Sequence, residues 1–361
     1  KQDFLSPTVG VLLFPDMFQR FLPMAILDDR ALALERSWEQ AWTACVGSDR
    51  FARPFDDLWE DHRYDVPLLF LNSTVVETGQ RILMHPLPFA AEPIQASTIH
   101  SVSAPHRPFQ YYFNDALDGP AVLGGQVPLS TAVHMSARFT YVSPAGTIFR
   151  QDLARDYSET ESPDPQVIRV VDGGYFENSG AVTTDEILLA IERIAEHHDF
   201  PIYPIVIHIS NDPLKPQSRE KEQHTGSHAF LPEILSPVWA LLNVRPARGY
   251  QARDVLGDRA TIGLHQHLSD VPTGGAFAHF QLCEYKHRLP LGWMLSEYSR
   301  QEIDGQLPSR DHQGNMDSLK ASQANFQNLE SVLQRLAGKP HPQAPFDQVF
   351  TDYARDCEAS S

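Results

Sequence analysis

The amino-acid sequence predicts an α/β fold, a mainly parallel sheet with helices on both faces. Three observations carry this expectation. "VIRVV" (167–171) and "IYPIVIHIS" (202–210) are short, β-branched apolar runs, continuous rather than alternating, as strands buried on both faces are. Between them, "NSGAVTTDEILLAIERIAEHH" (178–198) sets Ile187, Leu188, Ile191, Ile194 and Ala195 at helical spacing. Strand, helix, strand is the crossover that joins parallel strands through a right-handed connection. "PLLFLN" (67–72) is a third buried run, too short for a surface helix.

Taken in order, the chain opens with "FLSPTVGVLLFPDMFQRFLP" (4–23), an apolar arm broken by three prolines and read as irregular chain or short helical turns. From Asp28 the pattern becomes helical. Leu34, Trp38, Ala41, Trp42 and Cys45 share a face, and Asp28 or Asp29 can cap the start. After the strand at 67–72, "TGQ" (78–80) is a turn and "RILMH" (81–85) a second strand. "PLSTAVHMSARF" (128–139) is a helix entered at Pro128 and ended by "YVSPAG". The polar stretches 155–166 and 213–228 read as long loops. An amphipathic helix within 316–338 ends at Gly338. Residues 1–338 are therefore expected to form one α/β domain, and 339–361 a loose tail.

Composition narrows the partners. The chain has 361 residues, with 29 Lys+Arg against 46 Asp+Glu and a formal charge of −17. No basic stripe is present to neutralise phosphates, which argues against a nucleic-acid partner. The same charge disfavours a purely electrostatic hold on anionic lipid, but leaves membrane surface contact, or association with another chain, open to the apolar arm. Three distant cysteines, Cys45, Cys283 and Cys357, make neither a disulfide framework nor a zinc site. No run reaches the about 18 apolar residues that a spanning helix needs, and a cytoplasmic or peripheral-membrane location is expected. The sequence starts at Lys1 with neither Met nor leader, and reads as part of a longer protein.

The chemistry-bearing stretch is "VVDGGYFENSG" (170–180). Asp172 ends an apolar strand, where sheet proteins of this class hold reactive groups, and Gly173 and Gly174 permit tight curvature and close approach of another loop. A carboxylate so placed is suited to act as a base. It is equally suited to cap a turn or the helix expected from Asn178. Other clusters are weaker. His224, His228, His265 and His267 lie in polar loop-like surroundings and read as solvated. His208, Asn211 and Asp212, at the next strand end, suggest a metal-dependent hydrolase as an alternative. Ser136 lacks flanking glycines and reads as a helix-end cap.

These stretches resemble the patatin-like phospholipases, and the large bacterial patatin-like hydrolases in particular. The resemblance rests on "VVDGGYFENSG", on "LLFLNSTVVETGQRI" with its Asn-x-Thr and Thr-Gly turn, on "AVHMSARFTYVSP", on "PLGWMLS" and on the opening arm, five blocks in order from about residue 3 to about 305. It implies a three-layer α/β fold and a Ser–Asp dyad that cleaves lipid carboxylic esters without a cofactor. Asp172 would be the dyad's acid/base, and Gly173, Gly174 and Asn178 would complete its block. The family's serine stands in a Gly-x-Ser-x-Gly elbow, and its oxyanion loop is glycine-rich. Neither string occurs in the 361 residues. The expectation is therefore a patatin-like domain lacking its first strands, with the nucleophile upstream of Lys1, lipid ester as substrate and the chain inactive by itself. A non-catalytic lipid- or partner-binding domain is the alternative.

Overall fold

The computed structural model describes residues 3–19, 21, 27–60, 66–87, 109–113, 115–123, 126–139, 143–150, 166–198, 202–214, 232–262, 275–283, 295–304, 306, 309–310, 316–317 and 323–337. The histidines at 224, 228, 265 and 267, Gly338 and the tail from 339 lie outside the described residues. Two compact units, Lys1–Asn178 and Ser179–Ser361, stand where the sequence reads as one domain.

In the first unit the apolar arm forms short helical pieces, α1 (Leu5–Val11), a wider turn at Leu12–Asp16 and α2 (Met17–Gln19). Asp16 is buried against Arg30, which pins the arm to the following helix. That helix, α3 (Arg30–Val46), starts because the Asp29 side chain accepts the Leu32 N–H at 3.0 Å. It stops at Gly47, whose φ of 72° is the left-handed conformation favoured for glycine, and the Gly47 N–H closes on the Thr43 carbonyl. A short helix α4 (Asp57–Glu60) follows.

A five-stranded sheet carries the unit. Its strands are β1 (Leu71–Val75), β2 (Arg81–Met84), β3 (Ala116–Asp118), β4 (Gly146–Arg150) and β5 (Gln166–Asp172), in the order β3-β2-β1-β5-β4. The fold class is α/β as expected, but the sheets are mixed. β2–β3 run parallel, whereas β1–β2, β1–β5 and β4–β5 run antiparallel. The tight turn at Gly79 (φ 72°) makes β1–β2 a hairpin, and a hairpin can only be antiparallel.

Three further helices, α5 (Phe109–Tyr112), α6 (Gly119–Leu123) and α7 (Leu129–Ser136), belong to this unit, α7 being entered at Pro128. Val75, Ile82, Ile148, Ile168 and Val170 share one sheet face and pack with Met135 of α7. A second cluster joins Phe55, Trp59, Met84, Leu129 and Ala132.

The second unit contains α8 (Ala181–His197), β6 (Ile205–Leu214), the long α9 (Pro232–Ile262), β7 (Ala276–Cys283), α10 (Glu297–Asp304), the two-residue strands β8 (Ser309–Arg310) and β9 (Met316–Asp317), and α11 (Gln323–Leu336). The helix expected from Asn178 begins three residues later, because Gly180 caps it with φ 71°, a conformation outside the helix. Ala181 and Leu188 of α8 pack with Leu256 and Ala260 of α9. β6 pairs in parallel with β7, not with β5, so the expected β5–α8–β6 crossover does not form within one sheet. α11 is tied to β7 by hydrogen bonds: Asn325 accepts the Gln281 N–H (3.3 Å) and donates to the Gln281 carbonyl (3.1 Å).

Candidate active site

Asp172 is the last residue of β5. Its Oδ1 accepts the Gly174 N–H at 2.6 Å, and it caps the single 3₁₀ turn Gly173–Tyr175. Its own N–H donates to the Arg138 carbonyl at 3.2 Å. The carboxylate is thus half-buried and oriented by the chain that follows it.

The turn is held from β1. Thr74 Oγ1 donates to the Asp172 carbonyl at 3.0 Å and accepts the Phe176 N–H at 3.2 Å, so one hydroxyl ties both ends of the turn. Gly173 stands against β1. A Cβ there would sit 2.4 Å from the Asn72 carbonyl oxygen and 2.8 Å from its carbon. The glycine makes room for the neighbouring strand's backbone. Asn178 is half-buried, lies beyond the turn and does not open α8.

The register sets Ser73 directly across from Asp172. Val76 N–H donates to Arg169 O (2.8 Å), so alternation makes Ser73–Asp172 a non-hydrogen-bonded pair, with Cα atoms about 4.5 Å apart and side chains on one face. The Ser73 hydroxyl is buried and has no hydrogen-bond partner among the described residues. Ser136 is half-buried in the last turn of α7.

A second polar cluster in the same unit links α3, α7 and the segment before β4. His134 Nδ1 lies 2.7 Å from Glu35 Oε1, and His134 Nε2 lies 2.7 Å from Ser143 Oγ. Thr131 Oγ1 donates to Glu35 Oε2 at 2.7 Å, and an Arg138 guanidinium nitrogen stands 3.5 Å from Oε1. Burial alone would raise the Glu35 carboxyl. Hydrogen bonds from His134 and Thr131, with the charges of His134 and Arg138, outweigh it and hold the carboxyl below its ordinary value. Burial draws the Arg138 guanidinium down, against the pull of Glu35 and Asp29.

Of the side chains in the alternative metal site, that of His208 is among the described residues. His208 lies on β6 in the second unit's sheet, and its register partner is His279 of β7, with ring centroids 4.8 Å apart. The side chains of Asn211 and Asp212 lie outside the described residues. Among the described residues, no three His, Cys, Asp or Glu side chains converge as metal ligands. No described helix is long and apolar enough to cross a membrane. No family model, curated protein or solved structure matches the chain significantly, so the site stands on its own geometry.

Asn72 and Thr74 enter the sequence reading only as the Asn-x-Thr of the resemblance, with no role beside Asp172, and the Glu35–His134–Ser143 cluster went unread. The first two stand in "LNST", nearly a hundred residues before Asp172, and only the β1–β5 pairing brings them to it. For Glu35, the signal was its place one turn past the Asp29 cap on a buried helix face.

Proposed function

We propose that this chain carries the acid/base half of a serine acyl hydrolase that cleaves lipid carboxylic esters, with Asp172 taking the proton from the serine. The observation that carries the reading is the rigid presentation of Asp172. A strand end, an Asx turn and the double tie from Thr74 hold one carboxylate in one orientation. A serine hydroxyl needs such a base to become a nucleophile, and a base must be preplaced to be efficient. Its serine is not supplied by a Gly-x-Ser-x-Gly elbow within residues 1–361. The test is hydrolysis of a fluorogenic fatty-acyl ester by the protein joined to the segment that supplies the serine, and by Asp172→Asn in the same form, with circular dichroism to verify that both are folded. The expected loss is on the order of 10² to 10⁴-fold. Equal rates, or no hydrolysis once the serine segment is supplied, would sink the reading.

A second, non-catalytic reading has its own observation. Leu5, Val9, Leu13, Met17 and Phe21 recur every fourth residue along the arm, with Phe14 and Phe18 beside them, and all are exposed. Such a stripe suits a lipid surface or a partner chain. Sedimentation with sucrose-loaded phosphatidylcholine vesicles, lost in a Phe14→Glu/Phe18→Glu variant, supports it; no sedimentation of the wild type removes the lipid form of it.

A further inference from the structure

We propose that Ser143, His134 and Glu35 form a nucleophilic relay in the first unit, a centre for acyl transfer from esters that is separate from Asp172 and does not rest on it. The geometry is that of a nucleophile, a base and an orienting carboxylate in series, each link 2.7 Å long. Its direction follows from the chemistry of the groups. Glu35 is an ionised carboxylate and accepts only, so His134 Nδ1 carries the proton toward it. In the neutral ring Nε2 is then the acceptor, and the Ser143 hydroxyl donates to it.

The relay is fixed by its surroundings. Thr131 occupies the other Glu35 oxygen, and the edge of Trp38 packs on the His134 ring with centroids 5.3 Å apart. His134 is 0 % exposed, Glu35 5 % and Ser143 5 %. Deep burial of base and carboxylate is what a relay needs, since water would otherwise compete for both hydrogen bonds. Ser143 is itself buried, but the chain on either side of it reaches the surface. Phe139 is exposed four residues before it, as are Ala145 and Thr147 just after it. Arg138 supplies the remaining element. Its Nη1 donates to the carbonyl of Pro144, the residue after Ser143, while its buried Nε–H has no hydrogen-bond partner among the described residues. A buried, unmatched N–H on the side chain that also holds the chain at Pro144 is a donor available to the oxyanion of a tetrahedral intermediate.

In the reaction, Ser143 Oγ bonds to the ester carbonyl carbon as its proton passes to His134 Nε2. The carbonyl oxygen becomes the oxyanion. Its collapse breaks the bond to the alkoxy group, which leaves with the proton from Nε2. Water then repeats the two proton steps and releases the acid. The exposed Phe139 ring suits an apolar acyl chain.

The experiment is reaction of the intact protein with a fluorophosphonate, followed by peptide mass spectrometry to locate the adduct. The Oγ–P bond forms, the P–F bond breaks, fluoride leaves and the proton goes to His134. The expected result is an adduct on Ser143 in the wild type that persists in Asp172→Asn. Its rate should fall at least tenfold in Glu35→Gln. The wild-type map needs no substitution and so does not depend on a variant folding. An adduct on another serine, Ser73 included, that disappears in Asp172→Asn overturns the relay and supports the Asp172 reading. No adduct on any serine overturns the relay.

Discussion

Replacing Gly173 by alanine tests the central claim about the Asp172 turn, that β1 presses directly on it. The added Cβ would meet the Asn72 carbonyl oxygen at 2.4 Å, its carbon at 2.8 Å and its Cβ at 2.9 Å. The first two are backbone atoms of a strand paired on both sides, so no side chain can swing away. Relief must come from separating β1 from the turn. The Thr74 bonds to Asp172 O and Phe176 N, now 3.0 and 3.2 Å, then lengthen past the about 3.5 Å at which a hydrogen bond is lost. Two such bonds contribute about 1 kcal/mol each, and overpacking adds a further 1 to 3 kcal/mol. The expected cost is therefore about 3 to 5 kcal/mol, read as a lowered urea midpoint followed by tryptophan fluorescence. Gly10 is the control, because nothing lies within 4 Å of a Cβ built there. Within α1, Gly10→Ala should leave stability unchanged or raise it by up to about 1 kcal/mol. If Gly173→Ala unfolds with the wild-type midpoint, the contact between Asn72 and the turn is not what the structure shows.

Two other outcomes are expected. Thr74→Val keeps the volume but removes the hydroxyl that serves both ends of the turn; it should cost about 2 kcal/mol, with most of the loss restored in Thr74→Ser. Equal midpoints for valine and serine would refute the double tie. In the second unit, burial, then the charges of His208 and Arg253, push the His279 imidazole down to about 3. Its unfolded value is near 6.5, so between these pH values the unfolded chain binds a proton that the fold refuses. Stability should fall as pH drops through that window, by up to about 1.4 kcal/mol per pH unit, and level off above it. The slope should shrink in His279→Gln, and urea midpoints that stay parallel for the two proteins across the window would refute the assignment.

The sequence by itself determined the local elements and the one residue on which the functional reading turns. Hydrophobic period and caps are local signals. They placed α3 behind Asp29, α7 behind Pro128, the β1–β2 hairpin around Gly79 and Asp172 at the end of β5. The starts of α8 and the length of α9 were less legible. Gly180 moves the first by a conformation the pattern does not encode, and Pro237 and Pro246 interrupt the second where a helix is not expected.

What only the tertiary structure decided is who stands beside whom. Pairing direction, the separation of β5 from β6 into different sheets, and the closeness of Asn72 and Thr74 to the Asp172 turn depend on contacts between residues far apart in the chain. So does the relay that brings Glu35 of α3 to His134 of α7 and, through it, to Ser143. Periodicity reports which face of an element is apolar, not which element will cover it. A hydrogen bond spanning nearly a hundred residues leaves no trace in the spacing at either end.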